Sequence, residues 1–299
     1  MASQHVYWTS DGGGADGGSR AAAMHQWILA QNNAALIVFG GDVYNKGKPS
    51  EFDQFFAQMK HDVSGMCHTP GNHDWMKTQQ NSSTGKIPSG YEQFWASHSS
   101  RQPINTLKKS GARYEHTVDL AGWRLLFLDT GLCKEEPWPM GDQSRMEWLQ
   151  QQLGIPGRAK IIFAHHSRLS CGLHGNNEGI DDLWQSLFTS DGVPLAALTI
   201  SGHDHNVNIY SARGRNNPET TKVPFADGIP LVVNGAGGSG FYTAFNGDEG
   251  DMFSTFTEYC ITHIELIDEK NASVKTLSFG ANPAAVQTPT TVSELQLNV

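Results

Sequence analysis

No stretch of this sequence approaches the roughly 20 apolar residues that a membrane helix needs. The longest apolar runs are 34–39 and 125–128. The N-terminus, Met1 to Trp8, shows no basic segment followed by an apolar one, so no secretory leader is legible. As written, the protein is expected in the cytoplasm; a chain already trimmed of a leader reads the same way and would be secreted or periplasmic. Charge is scarce: Asp, Glu, Lys and Arg make 17% of the 299 residues, against roughly 25% on average. Basic residues are the scarcer kind, 21 against 30 acidic, for a net charge of −9. That balance excludes a general nucleic-acid or anionic-membrane binder, which needs a basic face. A small phosphorylated substrate survives the test, because a bound metal can supply the local positive charge. The four cysteines (Cys67, Cys133, Cys171, Cys260) stand far apart with no CxxC pair. Free thiols and one or two disulfides both remain open. There is no internal repeat, heptad pattern or long low-complexity tract, and nothing that fixes an oligomeric state.

Thirteen histidines are the unusual abundance. The first half of the chain alternates strand and helix signals. His5 to Ser10 reads as a strand entering the glycine-rich turn 11–18, with Ser19 as the cap of the next helix and Met24, Trp27 and Ile28 as its apolar stripe. Ala34 to Phe39 is a buried-type strand. Pro49 starts a helix with Phe52, Phe55, Phe56 and Met59 on one face. A short helix is expected over 91–98, a hairpin around Ala121-Gly122, and a helix from Gln143 to Leu153. Strands dominate beyond residue 195. Residues 1–280 read as one domain and 281–299, rich in Pro, Thr and Gln, as an irregular tail. The simplest packing is an α/β fold of two facing mixed sheets, a β-sandwich flanked by helices.

Five short segments each follow an apolar strand-like run: Ser10-Asp11-Gly12, Gly41-Asp42, Gly71-Asn72-His73-Asp74, His165-His166 and Gly202-His203-Asp204-His205. Polar groups at the carboxyl ends of strands are where sites form in such sheets. Carboxylate, amide oxygen and imidazole together suit first-row metal ions. Two histidines two residues apart after a strand point to one side and suit metal binding.

In this order the segments resemble the calcineurin-like metallophosphoesterases, and within them the purple acid phosphatase branch. Gly202-His-Asp-His-Asn206, Asn234-Gly-Ala-Gly237, His174 nine residues after His165, and Leu128-Asp-Thr130 are similar to that branch. The resemblance covers roughly 5–280. It implies a four-layer fold and two metal ions, drawn from iron, zinc or manganese. One ion would take Asp11, Asp42 and His205; the other Asp42, Asn72, His165 and His203. His73 and His174 would face the substrate. Two departures stand out. The first motif has Gly13 where most of the family has a ligand histidine. The purple branch instead uses a tyrosine three residues after the bridging aspartate, and here that place holds Asn45, with Tyr44 one residue early. Tyr44, Asn45 or water would complete that ion, and without a tyrosinate ligand the branch's Fe(III) colour should be missing. Asn45 also argues against the protein-phosphatase branch, which has an aspartate there.

The implied reaction is hydrolysis of phosphomonoesters by in-line attack of a metal-activated hydroxide, with protonated His73 aiding the leaving group. A phosphodiesterase or nucleotidase with the same centre is the alternative, and a non-catalytic scaffold on the same fold a third. Asp74, Trp75, His166, Arg168, Phe241 and Tyr242 are candidates to line the substrate pocket, with the loops 134–141 and 237–257, including Trp138 and Phe245. Each reading has a plainer rival. An aspartate in a glycine-rich turn is most often a turn residue, His166 suits an outer position, and Trp8, Trp27, Trp148 and Trp184 suit the core. The remaining histidines (His5, His25, His61, His68, His98, His116, His263) are given no role. Segment 11–18 lacks the Gly-Lys-Ser/Thr end of a phosphate-binding loop.

Overall fold

The computed structural model describes residues 2–43, 46–59, 66–75, 80–81, 85–86, 115–131, 133, 137–220, 222–242, 250–251, 253–255, 257–285 and 288–299. The expected helix over 91–98 and the expectations at Tyr44, Asn45 and Phe245 fall outside them.

The chain opens with β1 (Gln4–Thr9), α1 (Gly14–Gln31), β2 (Ala34–Phe39), α2 (Pro49–Met59), β3 (Met66–His68) and the one-turn α3 (Asn72–Trp75). A two-residue ladder follows, β4 (Gln80–Asn81) with β5 (Gly85–Lys86). Then come β6 (His116–Leu120), β7 (Trp123–Leu128), α4 (Gln143–Leu153), β8 (Lys160–Ala164), α5 (Asp181–Ser186) and β9 (Leu198–Ser201). The last part adds the strands β10 (Val207–Arg213), β11 (Ile229–Asn234), β12 (Phe253–Thr255), β13 (Cys260–Leu266), β14 (Asn271–Ser278) and β15 (Thr290–Asn298), with single 3-10 turns at Phe225–Asp227 and Pro283–Ala285.

Two mixed sheets result, with orders β15-β14-β13-β1-β2-β3 and β12-β10-β11-β9-β8-β7-β6. Parallel pairing runs β1-β2-β3 in one sheet and β7-β8-β9-β11 in the other. Alternation along the strands decides the layers. Val6, Trp8, Leu36 and Val38 face Leu125, Phe127, Ile161 and Phe163 across the middle of the sandwich, where Trp8 stacks on Phe163 at 5.6 Å. The opposite residues, Tyr7, Ile37 and Phe39, pack under Met24 and Ile28 of α1 and Phe52 and Phe55 of α2. Leu126, Leu128, Leu231 and Val233 do the same under Trp148 and Leu149 of α4 and Leu183 and Trp184 of α5. The order helix, sheet, sheet, helix is the expected four-layer fold.

Two local expectations are corrected. Ser19 does not cap α1: the helix starts at Gly14 with Gly13 as its cap. Gly12 lets the turn run close to α2, since a Cβ there would sit 2.7 Å from the Phe55 ring. The tail 281–299 is not irregular throughout. β15 pairs antiparallel with β14 from Asn298 back to Thr290, and Leu295 and Leu297 reach the core. Such an edge strand has few apolar residues to announce it. The cysteines are buried free thiols. No helix among the described residues is long and apolar enough to cross a membrane.

Candidate metal centre

Each of the five segments is the tip of a strand, and the tips meet at one end of the sandwich. Asp11 follows β1, Asp42 follows β2 and Asn72-His73 follows β3, all in the six-stranded sheet. His165-His166 follows β8 and His203 and His205 follow β9, in the seven-stranded sheet. Backbone bonds sew neighbouring tips together: Asp11 N–H donates to Gly41 O at 3.0 Å, and Gly202 N–H to His165 O at 2.9 Å. The turns are tight. Asp11, Asp42 and His203 all adopt positive φ (57°, 53° and 72°), a region that costs a non-glycine residue free energy and clusters at functional sites. Gly71 must be glycine for the same closeness, because a Cβ there would lie 2.1 Å from Asp42 Oδ1.

The side chains converge with some atoms satisfied and others not. Asp11 Oδ2 accepts the Ser10 hydroxyl at 2.6 Å and the His203 N–H at 2.9 Å. Its Oδ1 is buried, accepts no hydrogen bond, and faces His205 Nε2 at 3.6 Å. Asp42 Oδ1 accepts the His73 N–H at 2.8 Å, while Oδ2 lies 3.3 Å from His165 Nε2 and 4.0 Å from His73 Nε2. Asn72 Oδ1 and His165 Nε2 are also buried without a hydrogen-bond partner. One ligand atom each from Asp11, Asp42 and His165 lie within 4.8 Å of one another, as do those of His165, His166 and His203.

Two imidazoles are pre-set. His165 Nδ1 lies 2.7 Å from Gly40 O, and His205 Nδ1 lies 2.7 Å from Gly240 O. A carbonyl only accepts, so each Nδ1 carries a proton and each Nε2 is turned toward the carboxylates, able to give its lone pair to a cation once it carries no proton of its own. Metal-ligating histidines are held in this way. Burial pushes the Asp11 carboxyl up to about 8. Burial would likewise raise Asp42, but the charge of His165 holds it down to about 2. Burial would lower His165, and the charges of Asp42 and Asp11 raise it instead to about 9. With no ion bound, a proton on His165 is the counter-charge among these carboxylates. Inward-facing acceptors without donors, and carboxylates needing a positive charge, fit a cation site.

The expected pocket residues divide. Tyr242 and His174 stand beside the centre: the Tyr242 ring stacks on His205 at 4.1 Å, and His174 stacks on His203 at 4.0 Å. His166 is buried, with its N–H on Thr130 Oγ1 at 3.0 Å and its ring 4.3 Å from that of His203. It belongs with the buried imidazoles rather than with an open pocket wall. Asp74 is wholly buried, and its carboxylate accepts the N–H groups of Asp42, Val43 and Gly71 at 2.9, 3.1 and 2.8 Å. Trp75 is buried and donates to Asp129 Oδ1 at 3.1 Å. Arg168 is drawn away by Asp181 and by Glu219, the latter at 2.6 Å. Phe241 packs on Tyr259 and the core, and Trp138 is buried under Arg145. These five side chains are engaged by partners of their own: charge or aromaticity near a motif does not tell which side of a loop a side chain takes. Two further contributors lie inside the motif segments with no role expected of them, Ser10 and Asp204. The latter accepts the His174 N–H at 2.9 Å.

The model of the calcineurin-like phosphoesterases matches residues 5–207, more than half of the chain. The chain belongs to the calcineurin-like phosphoesterase family. A curated relative from Psychrobacter arcticus, a probable cyclic nucleotide phosphodiesterase, is 22% identical over 192 residues. That match spans 62% of this chain and 61% of the relative, under two thirds of its length. Among solved structures, the purple acid phosphatase PPD1 from yellow lupin superposes over all of this chain and 54% of its own, with TM-score 0.70 and 16% identity. GAP50 of Plasmodium, described as the anchor in the inner membrane complex, covers all of this chain and 90% of its own, with TM-score 0.67 and 14% identity. At these identities the two likenesses concern the fold alone.

Proposed function

We propose that this phosphoesterase is a dimetal-dependent hydrolase of phosphomonoesters. The observation that carries the reading is the convergence of Asp11, Asp42 and His165, whose ligand atoms lie within 4.8 Å of one another, with Asp11 Oδ1 buried and without a hydrogen bond. Asp11, Asp42 and His205 would hold one cation, and Asp42, Asn72, His165 and His203 the other. The ions are drawn from iron, zinc and manganese. A pair of such cations supplies electrostatic stabilisation to the attacking and leaving oxygens of an in-line displacement.

The remaining roles fall to the chain. His73 has a third of its side chain exposed and its Nε2 beside Asp42 Oδ2, so it can hold a proton and pass it to the departing oxygen. His174, fixed through its N–H by Asp204, presents its imidazole from the seven-stranded side. No covalent nucleophile is required. The small phosphorylated substrate would enter between His73 and His174.

The test is hydrolysis of p-nitrophenyl phosphate by the native protein with zinc, manganese or iron, beside the Asp42→Asn variant. Turnover in the native chain and its loss in a folded variant are expected. Normal turnover by Asp42→Asn would sink the reading. The similarity to a probable cyclic nucleotide phosphodiesterase favours a second reading, diester cleavage at the same centre. Bis-p-nitrophenyl phosphate run in parallel separates the two.

A further inference from the structure

Residues 234–242, after β11, fold back over the tips of β1 and β9. Ala236 N–H donates to Asn234 Oδ1 at 3.2 Å, and Ser239 N–H to Asp11 O at 2.9 Å. Between them, Gly237 comes so near the Ser10 carbonyl that a Cβ would lie 2.0 Å from it. This path brings two things to His205. The Gly240 carbonyl takes the Nδ1 proton at 2.7 Å. The Tyr242 ring lies flat on the imidazole, with centroids 4.1 Å apart and planes 10° apart. The edge of the same arrangement meets His174 at 5.3 Å and 82°, and His174 stacks in turn on His203.

An imidazole on a turn has two freedoms that matter to a ligand: rotation of the ring and the choice of tautomer. The carbonyl fixes the tautomer. A flat neighbour holds the ring plane, and Tyr242 is that neighbour. Turning the His205 ring would break the bond to Gly240 and drive the imidazole into the phenol. With both in place, Nε2 faces Asp11 Oδ1 at 3.6 Å.

We propose that Tyr242 is a positioning residue for His205: its ring, with the Gly240 carbonyl, locks the imidazole with Nε2 toward Asp11 and so sets the affinity of the cation site those two residues share. The lock stands on the geometry alone; its effect on cation affinity rests on the dimetal reading. It also differs from a pocket role, because a pocket role would use the phenol hydroxyl, whereas the lock uses the ring face.

The test is nitrogen-15 NMR of histidine-labelled full-length protein, as purified and after dialysis against a chelator, with zinc titrations of each variant. Native protein and Tyr242→Phe are expected to show His205 as the Nδ1–H tautomer alone, with similar zinc affinity. Tyr242→Ala is expected to show exchange between tautomers and to weaken one of two zinc sites by about 10–100-fold, the range seen when a ligand's outer partner is removed. If Tyr242→Ala does not fold, as judged by circular dichroism, Tyr242→Leu, which fills space without a flat face, takes its place in both measurements. A single tautomer and native zinc affinity in the truncated variant overturn the proposal. So does a Tyr242→Phe protein that fails as the alanine variant does, since the hydroxyl would then be the active part. A native chain that binds none of zinc, manganese and iron ends the dimetal reading, and the tautomer of the chelated protein still decides the lock.

Discussion

The carboxylate of Asp74 and the backbone of Asp42, 32 residues apart, are joined by a 2.9 Å hydrogen bond inside the protein. The same carboxylate accepts Val43 N–H and Gly71 N–H. Asp74 is thus the support on which the β2 and β3 tips rest, and it holds Asp42 in its left-handed conformation. Asp74→Ala leaves three donors of the tips without acceptors, at a cost on the order of 3 kcal/mol. Urea denaturation in the presence of chelator should show the loss, and Asp74→Asn, which keeps one acceptor oxygen, a smaller one. Equal midpoints for native and alanine proteins would contradict this role.

His73 contributes to the centre in two separable ways. Its N–H bonds Asp42 Oδ1, and its ring stands beside Oδ2. His73→Ala keeps the first and removes the second. Turnover of p-nitrophenyl phosphate is expected to fall by about 10²–10⁴-fold, the usual worth of a positioned proton donor. Metal content by elemental analysis should stay native. A variant that loses its metal would make His73 a ligand instead.

Away from the site, Arg145 and Glu115 form an ion pair with side chains 1% and 0% exposed. Arg145 also donates to the carbonyl of Asp129 and covers the Trp138 ring. Arg145→Met strands the Glu115 charge in the interior, which costs about 3–5 kcal/mol. Adding Glu115→Gln should return part of that stability. A thermal melt in which the single variant matches native protein would refute the assignment.

Acid should destabilise the protein through His263. Burial, with the neighbouring His5, lowers its pKa from 6.5 to about 4, and its ring is stacked against Tyr7 at 4.6 Å. The unfolded chain therefore binds a proton near pH 6.5 that the folded chain refuses until about pH 4. The contribution is complete above pH 6.5 and is lost as pH falls through 4. His263→Phe should lose less stability than native protein between pH 7 and pH 4.5. Parallel stability curves for the two would show that another group carries the acid sensitivity.

Much of the architecture was legible because burial on two faces leaves continuous apolar strands such as Leu36–Phe39 and Ile161–Phe163, while one-face burial leaves the 3.6-residue stripe of Met24 and Ile28. Gln143 to Leu153 was readable to the residue, with Asp142 as the cap whose side chain accepts the Ser144 N–H. β15 and β12 were not, since edge strands bury few side chains and carry polar ones on both faces. At the site, the strand-end motifs located Asp11, Asp42, Asn72, His165, His203 and His205 together. Their supports were illegible. Asp74, Arg168 and Trp75 stand beside motifs, yet whether each turns inward depends on partners up to 54 residues away. No local pattern records that.

Of the six side chains proposed to bind the ions, three ride on one sheet and three on the other. The cage therefore measures the spacing of the two halves of the sandwich, and loaded ions would act as rivets between them. Ligation and the docking of the halves become one equilibrium, so free cation at a hundred times its dissociation constant would add roughly 2.7 kcal/mol per site to resistance against unfolding.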